Sequence, residues 1–436
     1  MRIRPTAKTE SRQPVTDSDL KPAPTALATA LAALNRRDFA EAGSRLEKLA
    51  RDGQSEAMRY LGLLYLRGLG VEYDPFEAFR WIEAAAQTGS STARLTLASL
   101  YYLGLGTARN TTLAQNLLRD AARTGDPTAL RTLGLVYLGL GPRWRKPALA
   151  CFRSAAADQD VFAVHAIAVM RLIDGEVSSA LPSLSWAGIR GLFPSLLRLK
   201  ALQNRLGKEA IRTMALKAPL DPKRPRRLPI HRFTWEVVAP VAVDAVEPRI
   251  ALQVGNHLLH PVECDYLIAL AAPHLKPQHS ANQRDPDHMP PAPATMTFTR
   301  RLEDLVLCRL EERIATFAGK PWNNQTSLAC ERHFPGASRI PDEPARAQGR
   351  FRPDSAGQGA QSPQVIARVS LNDAFSGGEI SFPALDRTVA ATTGQGIVFS
   401  CADLSLDPNP LALWHEEPVR SGEKWIAIVH FHDESV

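Results

Sequence analysis

Between Pro24 and about Leu206, apolar residues recur at helical spacing, and the pattern itself repeats. Ala57, Ala93 and Ala129 stand 36 residues apart, as do Tyr65, Tyr101 and Tyr137, and Gly53, Gly89 and Gly125. Ala42, Ala78 and Ala114 keep the same step. A fixed period in the thirties predicts stacked helix pairs, because one pair buries its apolar face only against its neighbours. In the first full unit Ala57, Leu61, Leu64 and Tyr65 share one helix face, and Gly68 and Gly70 end that helix. Asp74 and Pro75 then offer an N-cap and a first-turn proline for the second helix. Small residues around Trp81 let the two helices approach, and Gly89 closes the unit. Spacing this regular assigns Trp81, Tyr101, Tyr102 and Tyr137 to packing between repeats, with a peptide-binding groove as the other role open to them. Over Ala163–Leu206 the helical period persists while the glycines shift. Residues 25–52 read as the second half of an N-terminal capping unit.

From Pro248 the period changes. Val365–Ser370, Phe375–Phe382, Gly396–Phe399 and Trp425–Phe431 alternate or run apolar between glycine turns, the pattern of short strands. Glu263–Ala271 and Leu302–Phe317 keep helical spacing, so the second half predicts a small β-barrel faced by helices. The expected fold is an α-solenoid followed by an α+β jelly-roll. Its predicted divisions are a polar tail at 1–22, a repeat array at 23–207, a connector at 208–247 and the barrel at 248–436. The connector holds a basic, proline-rich stretch, Asp221–Pro229, and one or two short strands over Phe233–Val243.

At 436 residues with 44% hydrophobic content, two cores are affordable in size. The net charge of +7 lacks a dense basic face with interleaved aromatics, so nucleic acid is a distant expectation resting on the 223–227 run alone. Five cysteines without CxxC spacing read as reduced core residues, which fits the cytoplasm. The N-terminus lacks a signal-type apolar region and no run of 18 apolar residues occurs, so no membrane partner is expected. One titratable residue stands out: Lys424, just inside an apolar strand. A buried ammonium needs an anion, either a protein carboxylate or a bound small acid.

Two resemblances sharpen these expectations. The wording A-x-x-L-G-x-x-Y-x-x-G-x-G-V, then A-x-x-W-x-x-x-A-A-x-x-G, in units starting at Ala57, Ala93 and Ala129, resembles the Sel-one-like repeat, a relative of the tetratricopeptide repeat. That resemblance implies a surface for a protein or peptide partner. Pro418-Val419-x-x-Gly422-x-Lys424-Trp425 is similar to the last core strand of prolyl 4-hydroxylase-like 2-oxoglutarate/iron(II) oxygenases. Leu371-Asn372-Asp373-x-Phe375-x-Gly377-Gly378-Glu379 looks like that family's core hairpin, and Pro248-Arg249-Ile250 and Glu263–Ala271 look like its first strand and helix. The resemblance implies a double-stranded β-helix, with 2-oxoglutarate and Fe(II) as cofactors and Lys424 on the far carboxylate of the keto acid.

The implied metal set departs from the family. In register, Asp342 stands where the first histidine belongs and Pro344 where the aspartate belongs, and His333 replaces a tyrosine of the 2-oxoglutarate site. Trp414 holds the distal histidine position, with His415 one residue late, and one residue on a strand reverses the face. The candidates are therefore Lys424 and His333 for the cofactor, and Asp342 and His415 for the metal. One reading is a degenerate oxygenase, a pseudoenzyme whose barrel serves as a binding or structural module on the repeat scaffold. The alternative is an active dioxygenase, a peptidyl hydroxylase with a rearranged iron site using Asp342, Glu343 and His415; His430 and His432 share a strand face with Lys424. Glu343, Glu416 and Glu417 read as solvated, and the Ala345–Pro363 loop is rich in Gly, Gln, Ser and Arg.

Overall fold

The computed structural model describes residues 25–215, 225, 228, 230–235, 242–275, 293–298, 304–322, 327–336, 365–400 and 410–431. Asp342, Glu343 and Pro344, the 345–363 loop, most of the basic run, Cys401 and His432 lie outside the described residues.

Helix pairs come first, in chain order: α1 (Ala26–Asn35), α2 (Phe39–Arg51), α3 (Ser55–Arg67), α4 (Pro75–Gln87), α5 (Ser91–Leu103), α6 (Thr111–Arg123), α7 (Pro127–Gly139), α8 (Arg145–Ala157), α9 (Val161–Ile173), α10 (Val177–Ile189), α11 (Phe193–Leu206) and α12 (Lys208–Ala215). The Asp74 carboxylate accepts from the Phe76 and Glu77 backbone N–H groups, capping α4 as its sequence predicts. Gly70 and Gly106 have φ of 68° and 65°. A Cβ there would strike the Phe39 and Pro75 carbonyls, so these glycines let one unit seat on the next. The expected half-unit at 25–52 is a complete hairpin. The alanine-rich α1 lacks the repeat's glycine signal, but Thr25 caps it and Ala30 and Ala33 are buried.

The second half contains β1 (Ala242–Glu247), β2 (Leu252–Asn256), α13 (Pro261–Ala271), β3 (Ala294–Thr297), α14 (Leu305–Phe317), β4 (Ala329–His333), β5 (Val365–Ser370), β6 (Phe375–Gly377), β7 (Ile380–Phe382), β8 (Arg387–Val389), β9 (Gly396–Ser400), β10 (His415–Glu416), β11 (Val419–Gly422) and β12 (Lys424–Phe431). The first strand expected at Pro248–Ile250 is a 3-10 turn between β1 and β2, since Pro248 has no N–H for a ladder and Ala251 has φ of 48°. Seven strands form one antiparallel sheet, ordered β1-β2-β9-β5-β12-β4-β3. A smaller layer is built from β10-β7-β8 and β11-β6. Ile366, Ile397, Phe399, Ile426 and Ile428 from the large sheet and Ile380 and Phe382 from β7 make one core. The alternate residues Ala367, Val369, Val398, Trp425, Ala427, Val429 and Phe431 face the other way, onto α13 and α14.

That second core does not stop at the barrel. It runs through Leu267, Ile268, Leu310 and Ile314 to Tyr102, Leu133, Phe162 and Ile167 of the array, so one apolar cluster joins both halves. Helices α5 and α7 pack on α14, and α7, α9 and α11 pack on α13. His165 of α9, fully buried, bonds Ser195 at 2.8 Å and Asp265 of α13 at 2.9 Å, and Arg198 closes on the same carboxylate at 2.6 Å. A Cβ at Gly139 would collide with Arg313, whose guanidinium pairs with Glu263 at 2.8 Å inside the barrel half. The connector is correspondingly structured. Residues 208–215 continue the array as α12, and Leu228 and Ile230–Trp235 lie against it; of the strand expected over Phe233–Val243, Phe233–Trp235 is not strand and Ala242–Val243 belongs to β1.

Two predictions follow from this interface. Gly139→Val forces a branched side chain into a buried ion pair and should lower unfolding stability by about 2–4 kcal/mol in denaturant titration. A loss below about 0.5 kcal/mol would contradict the close approach. Glu311 of α14 accepts the Leu328 N–H, and burial pushes its carboxyl up to about 7. Its folded pKa is above the unfolded value, so its stability contribution is complete in acid and is lost as pH rises from about 4.5 to 7. Glu311→Gln should remove that slope and be more stable than the parent by about 1–3 kcal/mol at pH 8.

Candidate functional site

The strand pairings converge five titratable side chains inside the barrel. Lys424 of β12 sits opposite His333 of β4, and Ile426 opposite both Glu331 of β4 and Ser370 of β5; Ile428 pairs with Arg368. Residues two apart share a face, so Lys424, His333, Glu331 and Arg368 all point into the layer between the sheets. From the smaller layer β10 brings Glu416, paired with Ile380. All five are at most 2% exposed.

Glu416 is the centre. Its Oε1 accepts from the Lys424 ammonium and from Arg368 Nη2 at 2.9 Å, and the ammonium also donates to the Gly378 carbonyl at 2.5 Å. His333 Nε2 meets Glu331 at 3.1 Å, while its Nδ1 stands 3.9 Å from Glu416 Oε2. Arg368 lies 4.8 Å over the Trp414 ring. Burial pushes the Glu416 carboxyl up, but Arg368, Lys424 and His333 together outweigh it and hold the group well below the usual carboxylate range. Burial pulls Lys424 below the ordinary lysine range; Glu416 opposes that pull and Arg368 adds to it. Two carboxylates thus balance two permanent or near-permanent cations in a dry interior, the condition under which buried charge is tolerated.

Of the two partners open to Lys424, the structure places a protein carboxylate on it, that of Glu416. Glu416, expected in solvent, is 1% exposed, as enclosed as Glu331. His415 turns the other way. It is 35% exposed in its side chain and bonds Glu417 at 3.0 Å, so it does not join the interior cluster. His333 does join it, beside Lys424. His430 lies on the Lys424 face but opposite Ile366, six residues along the strand. Asp342 is outside the described residues. Glu416, Glu331 and Arg368 are the members that sequence reasoning missed. Arg368 had a signal, as a lone charge at an inward position of Val365–Ser370.

An iron(II) site of two imidazoles and a carboxylate needs donors not already committed to cations. Among the described residues, no group of three or more His, Cys, Asp or Glu side chains is placed to hold a metal ion. Trp414 packs edge-on against Phe399 at 5.9 Å. The described residues therefore do not by themselves assemble the implied iron group, and the Lys424 ammonium is engaged by Glu416. Among the described residues, no helix is long and apolar enough to cross a membrane.

The Sel1 repeat family matches residues 55–90 and 93–126, so this part of the solenoid is built of Sel1 repeats. No curated protein matches the chain. Among solved structures, the chain is similar to a viral collagen prolyl hydroxylase from Paramecium Bursaria Chlorella virus-1, solved as a 2OG complex. The identity is 21% over 42% of this chain and 96% of that one, with a TM-score of 0.32. It is similar to a Sel1 repeat protein from Oxalobacter formigenes, 24% identical over 44% of this chain and 84% of the other, TM-score 0.37. A Pseudomonas putida prolyl-4-hydroxylase is 16% identical over 43% and 94% of the two chains, TM-score 0.28.

Removing Glu416's charge strands two cations in the core. Glu416→Gln should cost about 3–5 kcal/mol of stability, read by chemical denaturation at neutral pH. Because the Glu416 pKa is depressed, its contribution is present above the unfolded carboxylate value and is lost as pH falls through the folded one. The difference between parent and variant should therefore shrink in acid, and a constant difference from pH 7 to pH 3 would contradict the assignment.

Proposed function

We propose that the C-terminal half is an oxygenase-type jelly-roll whose cofactor pocket has been filled from within, and that it acts as a non-oxidative binding and structural module on a Sel1 repeat scaffold. The observation carrying this reading is the Glu416 carboxylate on Lys424. In the family the chain resembles, that ammonium receives the far carboxylate of 2-oxoglutarate. A protein carboxylate tethered at the same ammonium has a large effective concentration advantage over a free acid. Arg368 on the same oxygen adds a second charge-assisted bond that an incoming ligand would have to displace.

The test is reconstitution of the full chain under anaerobic conditions with Fe(II) and 2-oxoglutarate. The expected result is no stoichiometric iron after mild chelation and no succinate, coupled or uncoupled. Iron-dependent conversion of 2-oxoglutarate to succinate, abolished by Lys424→Met in a chain that still folds, would establish the dioxygenase instead.

A further inference from the structure

The connector is held by the array in a manner that reads main chain. The Tyr137 hydroxyl accepts the His231 N–H at 2.8 Å and faces the His231 carbonyl at 3.3 Å. One step on, the Gln115 amide donates to the Phe233 carbonyl. The Trp235 indole N–H donates to the Thr111 carbonyl at 2.6 Å. Phe233 is buried against Tyr137 and Trp144, which stack on each other 4.9 Å apart. Trp235 sits 5.0 Å from Tyr102, with the Arg309 guanidinium of the barrel half 4.8 Å over the Trp235 ring. Backbone bonds with aromatic seats at every second residue are how extended segments are recognised.

One group in this groove is badly matched. Arg119 lies one turn beyond Gln115 on the same face of α6 and is 8% exposed. Among the described residues its Nε has no hydrogen-bond partner, and its Nη1 reaches only Asn116 at 3.4 Å. Burial lowers its basicity and the nearby Arg123 and Arg232 guanidiniums lower it further, outweighing the opposing pull of Tyr137 and Asp120. The connector thus presents a like charge where the groove offers an underused cation.

We propose that the array between Tyr102 and Trp144 is a groove for extended segments, filled in cis by Ile230–Trp235, and that its preferred trans ligand is a peptide of the form acidic-aromatic-x-aromatic. The acidic residue takes the place of Arg232 and pairs with Arg119; the two aromatics take the seats of Phe233 and Trp235. Such a ligand competes with the connector, so occupancy of the groove and retention of the barrel against the array are linked. This inference stands whether or not the barrel is catalytic.

The experiment uses the full chain and two fluorescent peptides, one with the sequence of residues 228–235 and one with glutamate in place of its arginine, read by anisotropy. Phe233→Ala with Trp235→Ala should empty the groove, checked by retained helical circular dichroism. That variant should bind the native-sequence peptide at least about tenfold more tightly than the unaltered chain does, because the tethered competitor is gone. The glutamate peptide should bind about threefold or more tighter than the native one, and adding Tyr137→Phe should weaken either by about fivefold. Equal binding by emptied and unaltered chains, or none by a folded emptied chain, overturns the groove; no gain from glutamate overturns the Arg119 pairing. If the emptied chain loses its helical signal, Arg232→Glu in the otherwise unaltered chain decides. It should raise the Tm, and a fall or no change overturns the proposal.

Discussion

A carboxylate gripped by two cations in a dry interior sets the character of the barrel. Glu416 makes the smaller strand layer and the large sheet electrostatically interdependent: Lys424 and Arg368 belong to β12 and β5, Glu416 to β10. Neither layer can present its charges alone, because a lone buried ion costs more than any packing around it returns. The strand layers therefore close around a buried ion pair.

How much of this could be read from the letters differs by element. The 36-residue step of alanine, tyrosine and glycine located the helix pairs, and Asp74-Pro75 marked a cap that exists as written. Alternation on Val365–Ser370 and Trp425–Phe431 placed the sheet. Parity separates His415 from Trp414, and the structure turns His415 outward while Trp414 packs on the core and Glu416 is buried. Between Glu416 and Lys424 the chain turns at Pro418 and passes an irregularity at Val419–Ser421, so face cannot be counted across that stretch. The ion cluster is a product of long-range pairing, which no local period encodes.

The same limit applies to the interface. Tyr65, Tyr101 and Tyr137 occupy one repeat position, yet Tyr101 packs on Phe79 within the array while Tyr137 holds the connector. The letter is identical and the neighbour decides. Gly139 did carry a readable mark: at the same step, earlier units have Leu103 and Arg67, so a glycine there departs from the repeat. The departure is explained only by Arg313 and Glu263 lying against it.

The continuity of the apolar cluster from Leu133 and Phe162 to Leu267 and Leu310 also has a consequence for biosynthesis. The array leaves the ribosome first, and its flank of leucine, phenylalanine and isoleucine side chains stays wet until α13 and α14 have been translated more than a hundred residues later. For that interval the nascent solenoid carries a sticky side, the kind of surface that chaperones shield and that neighbouring chains can mispair with. A premature stop within the second half would leave that apolar flank uncovered.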